Sequence, residues 1–324
     1  MEQFSPSDMK TILHSKRANM YYLEYCRILV KDGRVEYVTD EGKQSLYWNI
    51  PIANTTCLLL GNGTSITQAA VRELAKSGVL IGFCGGGGAP LFSTNEVDFD
   101  VSFFSPQSEY RPVEYLQSWV SFWFDEEKRL EAAKQIQALR IEYTRQQWTN
   151  NSALKDAGIV INVADLNKAL DSFEQAVSKV SHTQELMLAE ARLTKTLYKI
   201  ICAVTGYNDF KRVKQGAGAD LANRFLDHGN YLAYGLGATA TWVLGLPHGL
   251  SVLHGKTRRG GLVFDAADLI KDGIILPQAF ISAMNGDTEQ EFRQACITNI
   301  RRYEALDYMI DSLKQISETL GEKK

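Results

Sequence analysis

Four side chains in the second half of the sequence, Glu190, His254, Asp265 and Asp268, have types and spacings that plain packing does not require. In TQELMLAEARLTKTLYKII the apolar residues Leu186, Leu193, Leu197, Ile200 and Ile201 repeat at helical spacing, and Glu190 falls on their stripe. A carboxylate facing a core is costly unless it is paired or coordinates a cation. Glu190 therefore reads either as a structural ion pair at the margin of the stripe or as a metal ligand, and this helix alone does not decide between them. Asp265 and Asp268, at i and i+3, share one face of a helix expected to start near Phe264, where like charges repel unless a cation or a basic group lies between them. The loop from His254 to Phe264 is long enough to bring the imidazole to those carboxylates. Imidazole plus carboxylates suits manganese or magnesium, with further oxygen ligands left to water or phosphate. The plainer alternative is a core histidine and two solvated aspartates.

Basic residues crowd the same segments. Residues 192–214 hold six Lys/Arg, among them Lys211, Arg212 and Lys214, against one Asp. Lys256, Arg258 and Arg259 lie in the loop after His254, and Lys271 follows Asp268 by one turn. Solvation of a helix face explains Lys195 and Lys199. Cations around an acidic metal cluster are nevertheless what a phosphodiester substrate needs, since they hold phosphates while a metal polarises the scissile bond. His14, His182 and His228 lie in polar settings, and His248 follows a proline in a turn.

The elements that must position these groups fall into two blocks. The first third reads as strands: MYYLEYCRILV and RVEYVTD flank a KDG turn as a hairpin, and TTCLLL and VLIGF are short apolar runs. Between those runs TSITQAAVRELAKSG reads as a helix, with Thr64 or Ser65 as its cap and Gly78 as its stop. LLLGNGTSIT lacks both the GK[ST] ending of a phosphate loop and the third glycine of a dinucleotide fingerprint, so it reads as a tight turn. The GGGG at 85–88 reads as a connection, and residues 95–112 as a linker. Helical patterns then run over 113–148, 164–180, 183–204, 219–245, 264–285 and 288–319. Strands followed by helices predict an α+β chain: a small β-rich domain over 1–106 and a larger all-α catalytic domain over 107–324.

Composition narrows the function classes. A net charge of −3 argues against indiscriminate coating of nucleic acid but allows a focused basic groove. The five cysteines form no CxxC pair, which points away from a zinc site or a disulfide framework and suits a cytoplasmic setting. The N-terminal residues carry charge throughout, without the apolar core of a signal peptide. The uncharged stretch His228–Leu253 is long enough to span a bilayer, but Pro247 and His248 interrupt it. Gly235, Gly237, Ala238 and Ala240 give it a small-residue face, so a closely packed buried helix is expected.

Taken jointly, these motifs resemble a known family, the CRISPR-associated integrase of spacer acquisition (the universal adaptation nuclease of CRISPR–Cas systems). YWNIPIANTTCLLLGNGTSITQAAVRELAKSGVLIGFCGGGG resembles its N-terminal β domain, ANRFLDHGNYLAYG its Asn-rich helix, and LPHGLSVLHG with LVFDAADLIKD its His and Asp motifs. The resemblance covers the whole chain and is greatest to the type I-F branch. It implies Glu190, His254 and Asp268 as ligands of Mg2+ or Mn2+, Asp265 as acidic support in the catalytic site, Lys271 as a basic neighbour and Tyr234 as a tyrosine beside the reacting strand. Many relatives have tyrosine where this chain has Phe264. The implied activity is that of a metal-dependent DNA endonuclease and integrase: a 3′-hydroxyl of captured DNA attacks the repeat boundary of the CRISPR array by transesterification. Double-stranded and branched DNA, a homodimer formed through the β domain, and a small adaptation protein fused to a helicase-nuclease are the implied partners. Two other readings of the residues remain: a DNA-binding scaffold whose acidic cluster is structural, and a phosphodiesterase acting on small nucleotides.

Overall fold

The computed structural model describes residues 19–41, 44–83, 103–104, 112–150, 152–207, 210–213, 220–255 and 260–321. Lys214, Lys256, Arg258, Arg259, His14 and the GGGG run lie outside the described residues. Two compact units make up the chain, Met1–Tyr110 and Arg111–Lys324.

Among its described residues the first unit carries two four-stranded sheets. MYYLEYCRILV is not one strand. Tyr25 has φ 47° and breaks it into β1 (Asn19–Leu23) and β2 (Arg27–Lys31), which join different sheets. The expected hairpin joins β2 to β3 (Arg34–Glu41), with Asp32 and Gly33 at φ 49° and 75°, the doubly left-handed turn that suits strand twist. Antiparallel β4 (Gln44–Asn49) extends β3. TTCLLL forms β5 (Thr55–Leu60), buried at every residue and flanked in parallel by β1 and by β7 (Leu80–Phe83).

The expected helix starts later than Thr64 or Ser65. Ser65–Ile66 form β6, which pairs in parallel with β2, and Thr67 then caps α1 (Gln68–Lys76) by accepting from the Ala70 amide at 3.3 Å. Gly78, at φ 68°, follows its end. Within the expected linker, Phe103–Phe104 form β8, antiparallel on β7. Leu23, Ile28, Val35, Leu58, Leu74 and Ile81 form the heart of one core shared by the two sheets and α1.

The second unit is helical: α2 (Glu114–Trp123), α3 (Glu126–Asn150), α4 (Ser152–Asp156), α5 (Val163–Lys179), α6 (Thr183–Thr205), α7 (Leu221–Val243), α8 (Gly261–Ile270), α9 (Leu276–Asn285), α10 (Glu289–Arg302) and α11 (Ala305–Leu320). Strands with α1 in the first unit and helices in the second are the α+β arrangement expected from the sequence. Three expected helices are broken, each for a local reason. Asp125 interrupts the run over 113–148 and caps α3 by accepting from the Glu127 and Lys128 amides. Glu304, at φ 48°, separates α10 from α11. Pro277 has no N–H for the carbonyl one turn back, and the chain before it widens into a π-helical turn, Lys271–Ile275, between α8 and α9.

The uncharged stretch supplies residues 228–243 of α7, a helix buried along most of its length and packed by α8, α9, α10 and α11. A Cβ on Gly237 would lie 2.6 Å from the Val263 carbonyl oxygen, so α7 and α8 meet backbone to backbone. Among the described residues no helix is long and apolar enough to cross a membrane.

Candidate metal centre

Glu190 reaches the centre because α6 packs through Leu186, Leu193, Leu197 and Ile201, and that stripe turns Glu190 inward to 16% side-chain exposure. His254 arrives on the loop between α7 and α8, which is fastened from two sides. From α2, the indole of Trp119 donates to the Leu250 carbonyl at 2.9 Å and that of Trp123 to the Ser251 carbonyl at 2.8 Å. From α8, the wholly buried Asp265 accepts the amides of Val252, Leu253 and His254 at 2.7, 3.2 and 3.1 Å. Asp265 also takes the His254 Nδ1 at 2.7 Å. A carboxylate at that distance makes Nδ1 the protonated nitrogen, so the lone pair of the neutral ring is on Nε2. Asp268 stands one turn along α8, also wholly buried.

These groups converge. His254 Nε2 is 4.0 Å from Glu190 Oε2, and His254 Nδ1 is 3.8 Å from Asp268 Oδ2. One ligand atom from each of Glu190, His254 and Asp268 can be chosen so that all lie within 4.8 Å of one another. Lys271 is ion-paired with Asp268 Oδ1, whereas Oδ2 is buried with no hydrogen-bond partner. A buried carboxylate oxygen with no donor is costly unless something cationic meets it. Four carboxylates (Glu190, Asp265, Asp268 and Asp272) face two permanent cations, Arg140 and Lys271, which leaves negative charge for a divalent ion to neutralise. Two carboxylates and an imidazole fit Mg2+ or Mn2+.

Burial and neighbouring charge oppose each other at three of these groups. Burial pushes the Asp268 carboxyl up, but Lys271, His254 and Arg140 outweigh it and hold it below its ordinary value. Burial alone would lower the His254 pKa, yet the hydrogen bond to Asp265 and the charges of Asp268 and Glu190 raise it. For Lys271, burial is likewise overcome, chiefly by Asp268, and its ammonium is held above the usual range.

Arg140 and Asp272 also belong to the centre and are not among the candidates named from the sequence. Arg140 of α3 is buried and donates from Nη1 to Glu190 Oε1 at 2.8 Å. Its Nε and Nη2 reach Asp272 Oδ2 at 2.8 and 2.5 Å. Asp272 is the second residue of the π-helical turn, and its carbonyl accepts from the Trp148 indole at 2.6 Å. Both residues left a signal. Asp272 continues the face of Asp265 and Asp268 at i+7 and i+4, and Arg140 lies on the buried stripe Ala133, Ile136, Gln137, Thr144 at helical spacing.

Of the remaining expected residues, Tyr234 lies at the centre, 4.5 Å between ring centroids from Phe264 and with the Lys271 ammonium 5.6 Å from its ring. Arg212 is engaged elsewhere: it is ion-paired with Asp227 and donates to Asn223 Oδ1 at 2.8 Å. Lys211 is exposed, and its carbonyl accepts from the Asn223 amide at 2.9 Å. The expected DNA-contacting residues thus separate into Lys271, paired with Asp268 and lying over the Tyr234 ring, and Lys211 and Arg212, tied to the start of α7.

Residues 20–294 match the family model for the CRISPR associated protein Cas1. The chain is 64% identical over 318 residues to the CRISPR-associated endonuclease Cas1 of Pseudomonas aeruginosa strain UCBPP-PA14, covering 98% of each chain. Two solved structures share the fold. A TtCas1–DNA complex matches with TM-score 0.64 at 22% identity, over 93% of this chain and 92% of that one. A casposase bound to an integration product matches with TM-score 0.65 at 14% identity, over 94% and 92%.

Proposed function

The chain belongs to the CRISPR-associated Cas1 family, within its type I-F branch, and on that premise we propose that it is a metal-dependent DNA endonuclease and integrase of CRISPR adaptation. The observation that carries this reading is the convergence of Glu190, His254 and Asp268 within 4.8 Å around the buried Asp268 Oδ2, which has no hydrogen-bond partner. Glu190, His254 and Asp268 would hold one or more Mg2+ or Mn2+ ions. When bound, such an ion supplies Lewis-acid stabilisation of phosphoryl charge and lowers the pKa of a hydroxyl.

The chain's own residues prepare that chemistry. Asp265 holds the Nδ1 proton of His254, so that Nε2 is presented as a neutral donor. Lys271 occupies Asp268 Oδ1 and leaves Oδ2 for the ligand role. Tyr234, with Lys271 above its ring, forms the edge where a phosphodiester backbone would lie. In the reaction the 3′-oxygen of incoming DNA bonds to phosphorus as the bond from that phosphorus to the leaving 3′-oxygen of the array breaks. One phosphodiester replaces another, so neither ATP nor a covalent enzyme intermediate is needed.

The relative named an endonuclease, the family member complexed with DNA and the casposase bound to an integration product all agree with DNA as substrate. A homodimer formed through the β-rich unit, a small adaptation protein fused to a helicase-nuclease as partner, and a cytoplasmic setting complete the proposal. Strand transfer with branched DNA, with and without chelator, is the test. Glu190→Ala and His254→Ala should each abolish metal-dependent joining in a protein that still melts cooperatively; full activity in either variant sinks the reading. A second reading, a DNA-binding scaffold with a structural acidic cluster, draws on the Arg140–Glu190 ion pair. It predicts unchanged joining by the reconstituted complex in those same variants.

A further inference from the structure

Arg140 has no part in the chemistry above, and we propose that it is a positioning residue for the metal centre, bracketed by Asp272 so that it fixes Glu190 Oε1 and aims Oε2 at His254 and Asp268. This inference rests on the reading of Glu190, His254 and Asp268 as ligands.

Three observations carry it. The first is the completeness of the contacts. Nη1 donates to Glu190 Oε1 at 2.8 Å and to Gln137 Oε1 at 3.2 Å, Nε donates to Asp272 Oδ2 at 2.8 Å, and Nη2 donates to Asp272 Oδ2 at 2.5 Å and Thr194 Oγ1 at 3.3 Å. A planar guanidinium with every nitrogen engaged fixes direction as well as charge, which a lysine ammonium does not. The second is where the contacts lie. Glu190 stands on α6 and Asp268 on α8, while Asp272 is one turn beyond Asp268, so Arg140 from α3 ties the element of one ligand to the element of another. The Trp148 indole, two turns further along α3, bonds the Asp272 carbonyl at 2.6 Å and holds the same turn by its main chain.

The third is the balance of charge. A bare cation beside Glu190 would compete with a metal for it, and Asp272 offsets that competition while leaving the geometry. Buried ion pairs of this kind contribute little net stability compared with apolar side chains of similar volume. What Arg140 adds over an apolar residue is orientation.

The test is a calorimetric Mn2+ titration of the full chain, paired with thermal melts in chelator. Arg140→Gln and Arg140→Lys are each expected to weaken Mn2+ binding by about 10- to 100-fold, the usual effect of losing a group that orients a ligand. Lysine does not rescue, because one ammonium cannot serve Glu190 and Asp272 together. Where a single variant fails to fold, the double variant Arg140→Met/Asp272→Leu decides, since neither partner of the pair is left charged. A folded double variant with the same weakening supports the proposal. Wild-type or tighter Mn2+ binding by any folded Arg140 variant overturns it, and so does loss of the cooperative melt in the double variant, which assigns Arg140 to folding alone. Glu190→Gln separates the two levels. If it too binds Mn2+ like wild type, the ligand reading itself fails; if only the Arg140 variants do, positioning alone fails.

Discussion

Replacing Asp265 with asparagine should loosen the loop that carries His254 and weaken metal binding together. Asp265 accepts three main-chain amides and the His254 Nδ1 through two oxygens, in a site with no solvent exposure. Asparagine keeps one oxygen and turns the other into an NH2 group facing N–H donors. If the remaining oxygen stays on Val252 and Leu253, the His254 amide and ring lose their partner; if it turns the other way, Val252 and Leu253 lose theirs. Either way two buried donors are orphaned, each at a cost of about 1–3 kcal/mol. A loss of about 4 kcal/mol corresponds to a melting temperature lowered by roughly 8–16 °C for a unit of this size. The ring either loses the bond that selects its tautomer or sits on a loosened loop, so Mn2+ affinity should fall by about 10- to 100-fold. Scanning calorimetry of metal-free protein reads the first effect and titration calorimetry the second. A variant whose melting temperature stays within about 2 °C of wild type, with unchanged Mn2+ affinity, refutes the claim that Asp265 organises the loop.

Two further outcomes follow from the same structure. Gly237→Ala places a Cβ 2.6 Å from the Val263 carbonyl oxygen, a backbone atom that cannot swing away. It should destabilise the protein by about 1–3 kcal/mol, read as a lower urea midpoint at an unchanged slope. The pKa of His254 is raised against the pull of burial, by Asp265, Asp268 and Glu190. In the metal-free protein the charged ring therefore contributes stability that is complete below the ordinary histidine value and disappears as pH rises through the folded value. Metal binding runs the opposite way, because it needs the neutral ring. Mn2+ affinity should rise with pH up to the folded value and level off above it, with proton release that buffers of different ionisation enthalpy reveal in calorimetry. An affinity flat from pH 5 to 8 contradicts that role for His254.

Much of the centre was legible in the sequence because period and chemistry coincided there. Glu190 broke an apolar helical stripe, and Asp265 and Asp268 shared a helix face, so spacing marked three of its members as candidates and left their role open. Helix ends were less legible. Asp125 and Glu304 are ordinary polar residues whose capping or left-handed backbone breaks a continuous periodic pattern, and β6 shows itself only once β2 lies beside it. Arg140 escaped notice for a different reason. Its place on a buried helical stripe says nothing of its role, which shows only through its carboxylate partners, 50 and 132 residues away in sequence. The division of labour between Asp265 and Asp268 was also hidden. Both are buried aspartates on α8, but three loop amides use up one, while the other keeps an oxygen with no hydrogen-bond partner.

Anomalous diffraction from crystals grown with Mn2+ addresses the metal centre itself. The structure predicts a manganese peak bonded to Glu190 Oε2, His254 Nε2 and Asp268 Oδ2, absent from Glu190→Gln crystals grown under the same conditions. A peak that leaves these three atoms uncoordinated, or a centre without manganese in a protein that still joins DNA only when Mn2+ is added, would contradict it.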